Sequence, residues 1–246
     1  MHAPSLFLTI PTGREARWRL IEQVLAQWYP PDAGRDVPLG NSTPVSPSTS
    51  TRALQEWFAF VRRQPGIWGR QDVLFSAHSY KLATDFLIIG SENQSNAYWG
   101  VRRTDLSLDD PPVYVNLHAD GQWISENSSV SEFAVAWLAA SIKWSGHNRC
   151  WANGAATTSA LRIATGRYPH LGLRDWHWPE FPTRFYGTAD LLLEVNGDDD
   201  NIWFWLSTRT KEAYREFLSL VGDEAQWEAS SDEWPDGWVG SSSDGH

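Results

Sequence analysis

Apolar residues in this chain follow two periods, and the switches between them mark its elements. Trp18, Ile21, Val24, Leu25 and Trp28 recur at helical spacing behind the capping box Thr12-x-x-Glu15, which predicts a first helix stopped by Pro30-Pro31. Leu54, Trp57, Phe58 and Val61 repeat the i, i+3, i+4, i+7 spacing and predict an amphipathic helix over 52–64, ended by Pro65-Gly66. The pattern then shortens. Phe86 to Ile89 is an unbroken apolar run, suited to a strand covered on both faces. Ala97 to Arg102, rich in β-favouring side chains, predicts a second strand antiparallel to it. Pro111-Pro112 mark the entry of a third strand, Val113 to Leu117, and Asp120-Gly121 supply a turn before Gln122-Trp123-Ile124. A second capping box, Ser129-x-x-Glu132, opens a helix to about Trp144 with Phe133, Trp137, Leu138 and Ile142 facing inward. Asp190 to Val195 and Ile202 to Ser207 flank the polar stretch Asn196 to Asn201 and predict a hairpin, followed by a helix over Lys211 to Val221 with Gly222 just past its end.

Three stretches carry no such period. Residues 32–51 are rich in Ser, Thr and Pro and read as a solvated linker, which would leave residues 1–31 as a separable N-terminal helix. Residues 147–183 resist assignment, except for a short helix candidate at Ala155 to Thr165 and an ordered aromatic loop at Trp176-His-Trp-Pro-Glu-Phe-Pro182. Residues 223–246 form an acidic, Trp-containing tail, read either as a solvating end or as a peptide that docks on a basic groove. The remaining body, 52–222, is expected to be an α+β domain with a single antiparallel sheet and helices packed against it.

Charge sharpens the picture of partners. Residues 1–160 carry 13 Lys and Arg against 14 Asp and Glu, whereas 161–246 carry 7 against 16, so the net charge of −10 belongs almost wholly to the C-terminal third. Such a field opposes direct nucleic-acid binding and favours a basic partner, although acidity also serves solubility. The 16 tryptophans exceed what a core of this size needs, so some rings are expected on the surface. The lone Cys150 excludes an internal disulfide and fits a reducing compartment. With no signal peptide and no long apolar window, a cytoplasmic address without membrane contact is expected.

Candidate chemistry is sparse. His118-Ala-Asp120 and His147-Asn-Arg-Cys150 could each be a fragment of a nucleophilic site, but neither has a third member. The chain has no His-Glu-x-x-His, no paired cysteines and no glycine-rich phosphate loop, so no metal or cofactor is expected. Asp198-Asp199-Asp200 lacks the alternate spacing of a calcium loop and reads as a hairpin turn. No catalytic residue is assigned, and the chain is not expected to be an enzyme.

Glu92-Asn93-Gln94, Trp99-Gly100, Asp109-Asp-Pro-Pro-Val-Tyr114 and the closing Ser-x-x-Glu helix together resemble the SUKH superfamily, clearly over 52–144 and more weakly over 184–222. The sequence departs from the family pattern where Ser95 stands in place of a frequent glycine and where a Leu-Pro helix start is missing. The resemblance implies a SUKH-like α+β fold and a binding role without catalysis, as in bacterial immunity proteins and cell-wall regulators. Many partners of such proteins are nucleases, whose grooves are basic. On this reading the chain neutralises a toxin by covering its basic surface with Asp109, Asp110, Trp123, Trp176, Asp198 and Asp199. Glu92, Asn93, Gln94 and Trp99 form a motif that either pins a turn or presents a polar edge to a ligand. Two rivals stand beside it: a carbohydrate-binding module or small hydrolase using the Trp176 loop, and a regulatory scaffold with no toxin partner.

Overall fold

The structure, a computed structural model, describes residues 3–29, 51–68, 72–74, 82–83, 85–117, 122–144, 150–198 and 201–231. The chain divides into two compact units: Pro11–Glu22 with Asp32–Ser145, and Met1–Ile10 with Gln23–Pro31 and Gly146–His246. Each unit holds its own antiparallel sheet, so the single sheet expected from the sequence is corrected to two. The expected 52–222 body is likewise split between units. Pairing partners far apart in the chain leave no mark on local periodicity, which is why strand patterns alone did not separate them.

In the first unit, helix α1 (Arg14–Trp28) contributes its N-terminal part, followed by α2 (Arg52–Arg63) and the single turn α3 (Pro65–Trp68). Two short strands, β1 (Val73–Leu74) and β2 (Leu82–Ala83), both pair with β3 (Phe86–Ser91). The sheet then continues through β4 (Ala97–Arg102), β5 (Val113–Leu117) and β6 (Trp123–Asn127), each antiparallel to its neighbour. Helix α4 (Val130–Ser141) begins where the hydroxyl of Ser129 accepts the Glu132 N–H and the Glu132 carboxylate accepts the Ser128 N–H, so the Ser-x-x-Glu signal is spent on orphan amides of the first turn.

Four indoles, from α2, α3, β4 and α4, fill the space between these helices and the sheet. Trp57, Trp68 and Trp99 are fully buried and Trp137 nearly so. Trp57 meets Trp68 at 6.1 Å, Trp137 at 6.1 Å and Phe133 at 5.6 Å, all edge to face. Trp99 meets Trp137 at 5.1 Å in the same manner, and the Trp137 N–H donates to the Trp68 carbonyl at 3.1 Å. These pairings use the ring quadrupoles favourably and add to large apolar burial.

The N-terminal part of α1 is tied into the first unit. Arg17 is buried; its Nε donates to the Pro11 carbonyl at 2.8 Å and its Nη1 to the hydroxyls of Ser129 and Ser131 at 2.7 and 3.1 Å. The Trp18 N–H donates to Glu56 at 2.6 Å, and its ring stacks on Phe60. The 32–51 linker, apart from Thr51, lies outside the described residues.

The second unit is built on β7 (Cys150–Ala156), α5 (Thr158–Arg167), β8 (Thr183–Gly187), β9 (Leu191–Asn196), β10 (Ile202–Thr208), α6 (Lys211–Val221) and β11 (Ala225–Ser231). Its sheet runs β11-β7-β10-β9-β8. One face buries Leu193, Val195, Phe204 and Leu206 with Ala160 and Ala164 of α5 and Tyr214, Phe217 and Val221 of α6. Thr157 and Thr210 cap the two helices by accepting the N–H three residues on, and Gly222 ends α6 at φ +54°, where glycine is favoured.

Residues 223–246 are therefore not wholly a tail, since 225–231 form an edge strand; residues 232–246 lie outside the described residues. The strand escapes notice because Ala-Gln-Trp-Glu-Ala-Ser-Ser has little alternation and carries a bulge between Trp227 and Ala229. Gly154 makes its pairing possible: a Cβ there would lie 2.0 Å from the Gln226 carbonyl oxygen, on a partner that is backbone and cannot swing aside. Gly154→Ala is expected to cost about 1–3 kcal/mol in urea denaturation and to speed amide exchange selectively over Ala225–Ser231. Unchanged exchange in that strand would refute the role.

Candidate functional site

Two of the sequence motifs turn inward. The Glu92 carboxylate, on a residue 5% exposed, accepts the backbone N–H groups of Gln94 at 2.9 Å and Asn96 at 3.1 Å, closing the turn between β3 and β4. Asn93 and Gln94 are exposed at the tip, so the triplet divides into one buried pin and two outward side chains. Ser95 sits at φ +66°, the left-handed region in which a Cβ is disfavoured. Trp99 belongs to the indole core, while Gly100 leaves room on the opposite face: a Cβ there would lie 3.1 Å from the Trp123 ring.

The Asp109-Asp110 corner starts two helices. The Asp109 carbonyl accepts the Ala53 N–H of α2 at 2.9 Å, and the Asp110 carboxylate accepts the Ser131 N–H at 2.9 Å and its hydroxyl at 2.6 Å at the start of α4. A carboxylate at a helix N-terminus is stabilised by the orphan amides and the dipole. Asp110 thus spends its carboxylate on the start of α4, with Arg17 at 3.9 Å. Asp109 keeps an exposed carboxylate, 3.4 Å from Arg14.

Trp123 is half-buried on the sheet face away from the helices, stacked on Phe86 at 4.0 Å and 12°. Tyr114 meets Phe86 edge-on at 5.5 Å, and the Arg102 guanidinium lies 4.7 Å from the Tyr114 ring. This face is aromatic and carries the Arg102 guanidinium over its rings.

The aromatic loop of the second unit brings more together. Trp176 and Thr183 exchange backbone hydrogen bonds at 2.9 Å in both directions, closing the residues between them into a hairpin-like loop. Trp176 is 3% exposed and forms the foot of that loop, which corrects its expected role as a surface ring. The Thr183 hydroxyl donates to the Glu180 carbonyl at 2.8 Å, and the Gly197 N–H donates to the Pro182 carbonyl at 3.1 Å. Asn201 donates to the Glu180 carboxylate at 2.7 Å, tying the loop to the β9–β10 turn. Arg184 bonds the Gly197 carbonyl and pairs with Asp198. What this bracing holds outward is Phe181, 55% exposed, with the His177 imidazole stacked on it at 4.6 Å and 18°.

Phe181 and His177 were not singled out as site residues in the sequence. Their signal was faint: prolines at 179 and 182 that stiffen a loop whose first ring, Trp176, looked like the functional one. Among the described residues seven tryptophans are buried and seven half-buried, and none is exposed; Trp234 and Trp238 lie outside the described residues. Asp198 lies beside this loop; Asp199, His118, Asp120 and His147 lie outside the described residues.

No activated nucleophile emerges from the described side chains. Cys150 is buried. His170 lies 4.0 Å from Asp175 and meets Tyr186 edge-on, but burial, together with the carboxylates of Asp175 and Asp198, pushes the Tyr186 phenol up against the opposing effect of Arg184. Tyr168 is raised as well, chiefly by burial and next by Glu216. Neither phenol is thereby nearer to a tyrosinate at neutral pH. Among the described residues no group of three or more His, Cys, Asp or Glu is placed to hold a metal ion, and no helix is long and apolar enough to cross a membrane. No protein-family model, curated protein or solved structure matches the chain.

The turn geometry sets a paired expectation. Ser95→Gly should raise unfolding stability by about 0.5–1 kcal/mol, by relieving the left-handed backbone in excess of the entropy cost of glycine. Glu92→Ala should lower it by about 2–3 kcal/mol, because two amides lose their acceptor. Chemical denaturation of both variants checks this, and a neutral Glu92→Ala would show that the carboxylate does not hold the turn.

Proposed function

We propose that this chain is a non-catalytic binding protein of the SUKH type, acting in the cytoplasm as an immunity protein that covers the basic surface of a toxin. One observation carries most of the reading: the exposed Phe181 ring, with the half-buried His177 imidazole stacked on it, is held on a loop braced by five backbone and side-chain hydrogen bonds beside Glu180 and Asp198. A braced ring loses little conformational freedom when a partner covers it, which is the property of residues that dominate interface energetics. Surrounding carboxylates raise encounter rates with a basic protein. The motif residues Glu92, Trp99 and Asp110 on which the family likeness rests lie in the turn after β3, the indole core and the start of α4, and bring no outward chemistry to the reading.

The carbohydrate reading named Trp176 as its platform, and that ring is buried. Stacking on a sugar would fall to Phe181, with Glu180 engaged by Asn201.

Purification of the tagged chain from its native host at low salt is expected to retain a polypeptide of high isoelectric point that dissociates as salt rises past about 0.15 M. Mixing that polypeptide with the purified chain should abolish its toxic activity. Recovery of no polypeptide at low salt, or turnover of a small substrate by the chain alone, would contradict the proposal.

A further inference from the structure

We infer that the outer face of the first sheet, at Trp123 and Arg102, binds a free nucleoside monophosphate, with the base stacked on the indole and the phosphate on the guanidinium. The site lies wholly within the first unit. It goes beyond the protein-binding reading and does not rest on it.

Two observations lead there. The Trp123 ring is already laid out as a platform: it stacks on Phe86 at 4.0 Å and 12°, and Gly100 lies beneath it, where a Cβ would come within 3.1 Å of its ring carbons Cζ3 and Cη2. Phe86 under it is buried while Trp123 is half-buried, so the part of the indole open to solvent is the side turned away from the sheet. The second observation is Arg102, exposed and opposite Phe86 in the strand register. Its guanidinium lies 5.8 Å from the centre of the Phe86 ring and 4.7 Å from that of Tyr114, and among the described residues no carboxylate or carbonyl accepts its N–H groups. Indole and guanidinium both contact the one Phe86 ring, which keeps a flat aromatic face and an unmatched cation within the span of one small molecule.

Charge decides which ligand suits such a pair. Of the strand residues that the register sets on this face from β3 to β6, Arg102 alone is charged. A guanidinium offers a phosphate two parallel N–H donors, and an indole face stacks on any base because every base has a π-face. One cation suits one phosphate group. A single-stranded nucleic acid would bring a phosphate with every nucleotide, and an acidic peptide several carboxylates, to a face with one positive charge on a chain of net charge −10. A mononucleotide avoids that repulsion and gains both contacts. The stacked indole and the guanidinium are held by Phe86 in the free protein, so little ordering opposes binding.

The test is a titration of the full chain, followed through its amide and indole N–H signals by NMR, with adenosine monophosphate, adenosine, inorganic phosphate, an oligoadenylate and an oligoaspartate. The site predicts saturable binding of the monophosphate with the largest shifts on Gly100, Arg102 and Trp123, adenosine about tenfold weaker, and phosphate alone weaker still. Arg102→Gln should bring the monophosphate down to the affinity of adenosine and leave adenosine unchanged, a split that a merely structural arginine would not produce. Trp123→Ala should weaken both about tenfold. Because Arg102 is exposed, its variant keeps the thermal transition and tests the site even where Trp123→Ala lowers that transition. No binding of the monophosphate, equal affinity for it and adenosine, shifts confined to other residues, or tighter binding of either polymer overturns the site. None of these outcomes bears on the protein-binding reading, which the native-host purification decides separately.

Discussion

The edge-to-face packing of Trp57, Trp68, Trp99 and Trp137 is the constraint on which the first unit depends. These rings come from α2, α3, β4 and α4, so one cluster fixes three helices against one strand. Bulky rings cannot be accommodated in a second arrangement without opening voids or clashes, and interiors at crystal-like density tolerate neither. The cluster also fixes what can happen on the other face of the sheet. With Trp99 turned toward the helices, Gly100 faces away from them, and its missing side chain admits the Trp123 ring onto Phe86. A two-residue motif, Trp-Gly, therefore serves both faces at once.

Polar groups follow the same economy. Glu92, Asp110 and Arg17 are charged side chains drawn inside the unit, and each meets backbone amides, hydroxyls or a carbonyl. Burying them without those partners would be costly, so the local backbone, the turn after β3 and the start of α4, is arranged around them. The acidic character that the sequence displays is thus unevenly available. Asp110 and Glu92 spend their carboxylates within the fold, while Glu180 and Asp109 remain exposed.

Much of this was legible in the sequence wherever a local signal had a local cause. The Ser129 cap, the strands β3, β4, β5, β9 and β10, and helices α2, α4 and α6 follow from periodicity and turn chemistry, because hydrophobic spacing and orphan amides act within a few residues. The expected Thr12 cap does not, since the first turn of α1 bonds the Gly13 carbonyl instead. β7 and β11 did not announce themselves: Cys-Trp-Ala-Asn-Gly-Ala-Ala is rich in small residues, and its strand conformation comes from neighbours supplied by residues 202–208 and 225–231. The number of sheets was hidden for the same reason. At the candidate site, the loop at 176–182 was read as ordered and aromatic, yet which ring faced water was not readable from composition. Trp176 is buried by its backbone exchange with Thr183, a contact visible only once the strand register is known. Glu92, Trp99 and Asp110 build the turn after β3, the indole core and the start of α4, so they serve the architecture and not an outward surface.

Among the described residues no tryptophan is exposed, and the most exposed large apolar side chain is Phe181 on the braced loop. Hydroxyl-radical footprinting of the purified chain, read residue by residue by mass spectrometry, tests this most directly. The account predicts fast oxidation at Phe181 and His177 and, after correction for intrinsic reactivity, strong protection at Trp57, Trp99, Trp137 and Trp176. Trp176 oxidised as readily as Phe181, or open labelling of the indole cluster, would contradict it.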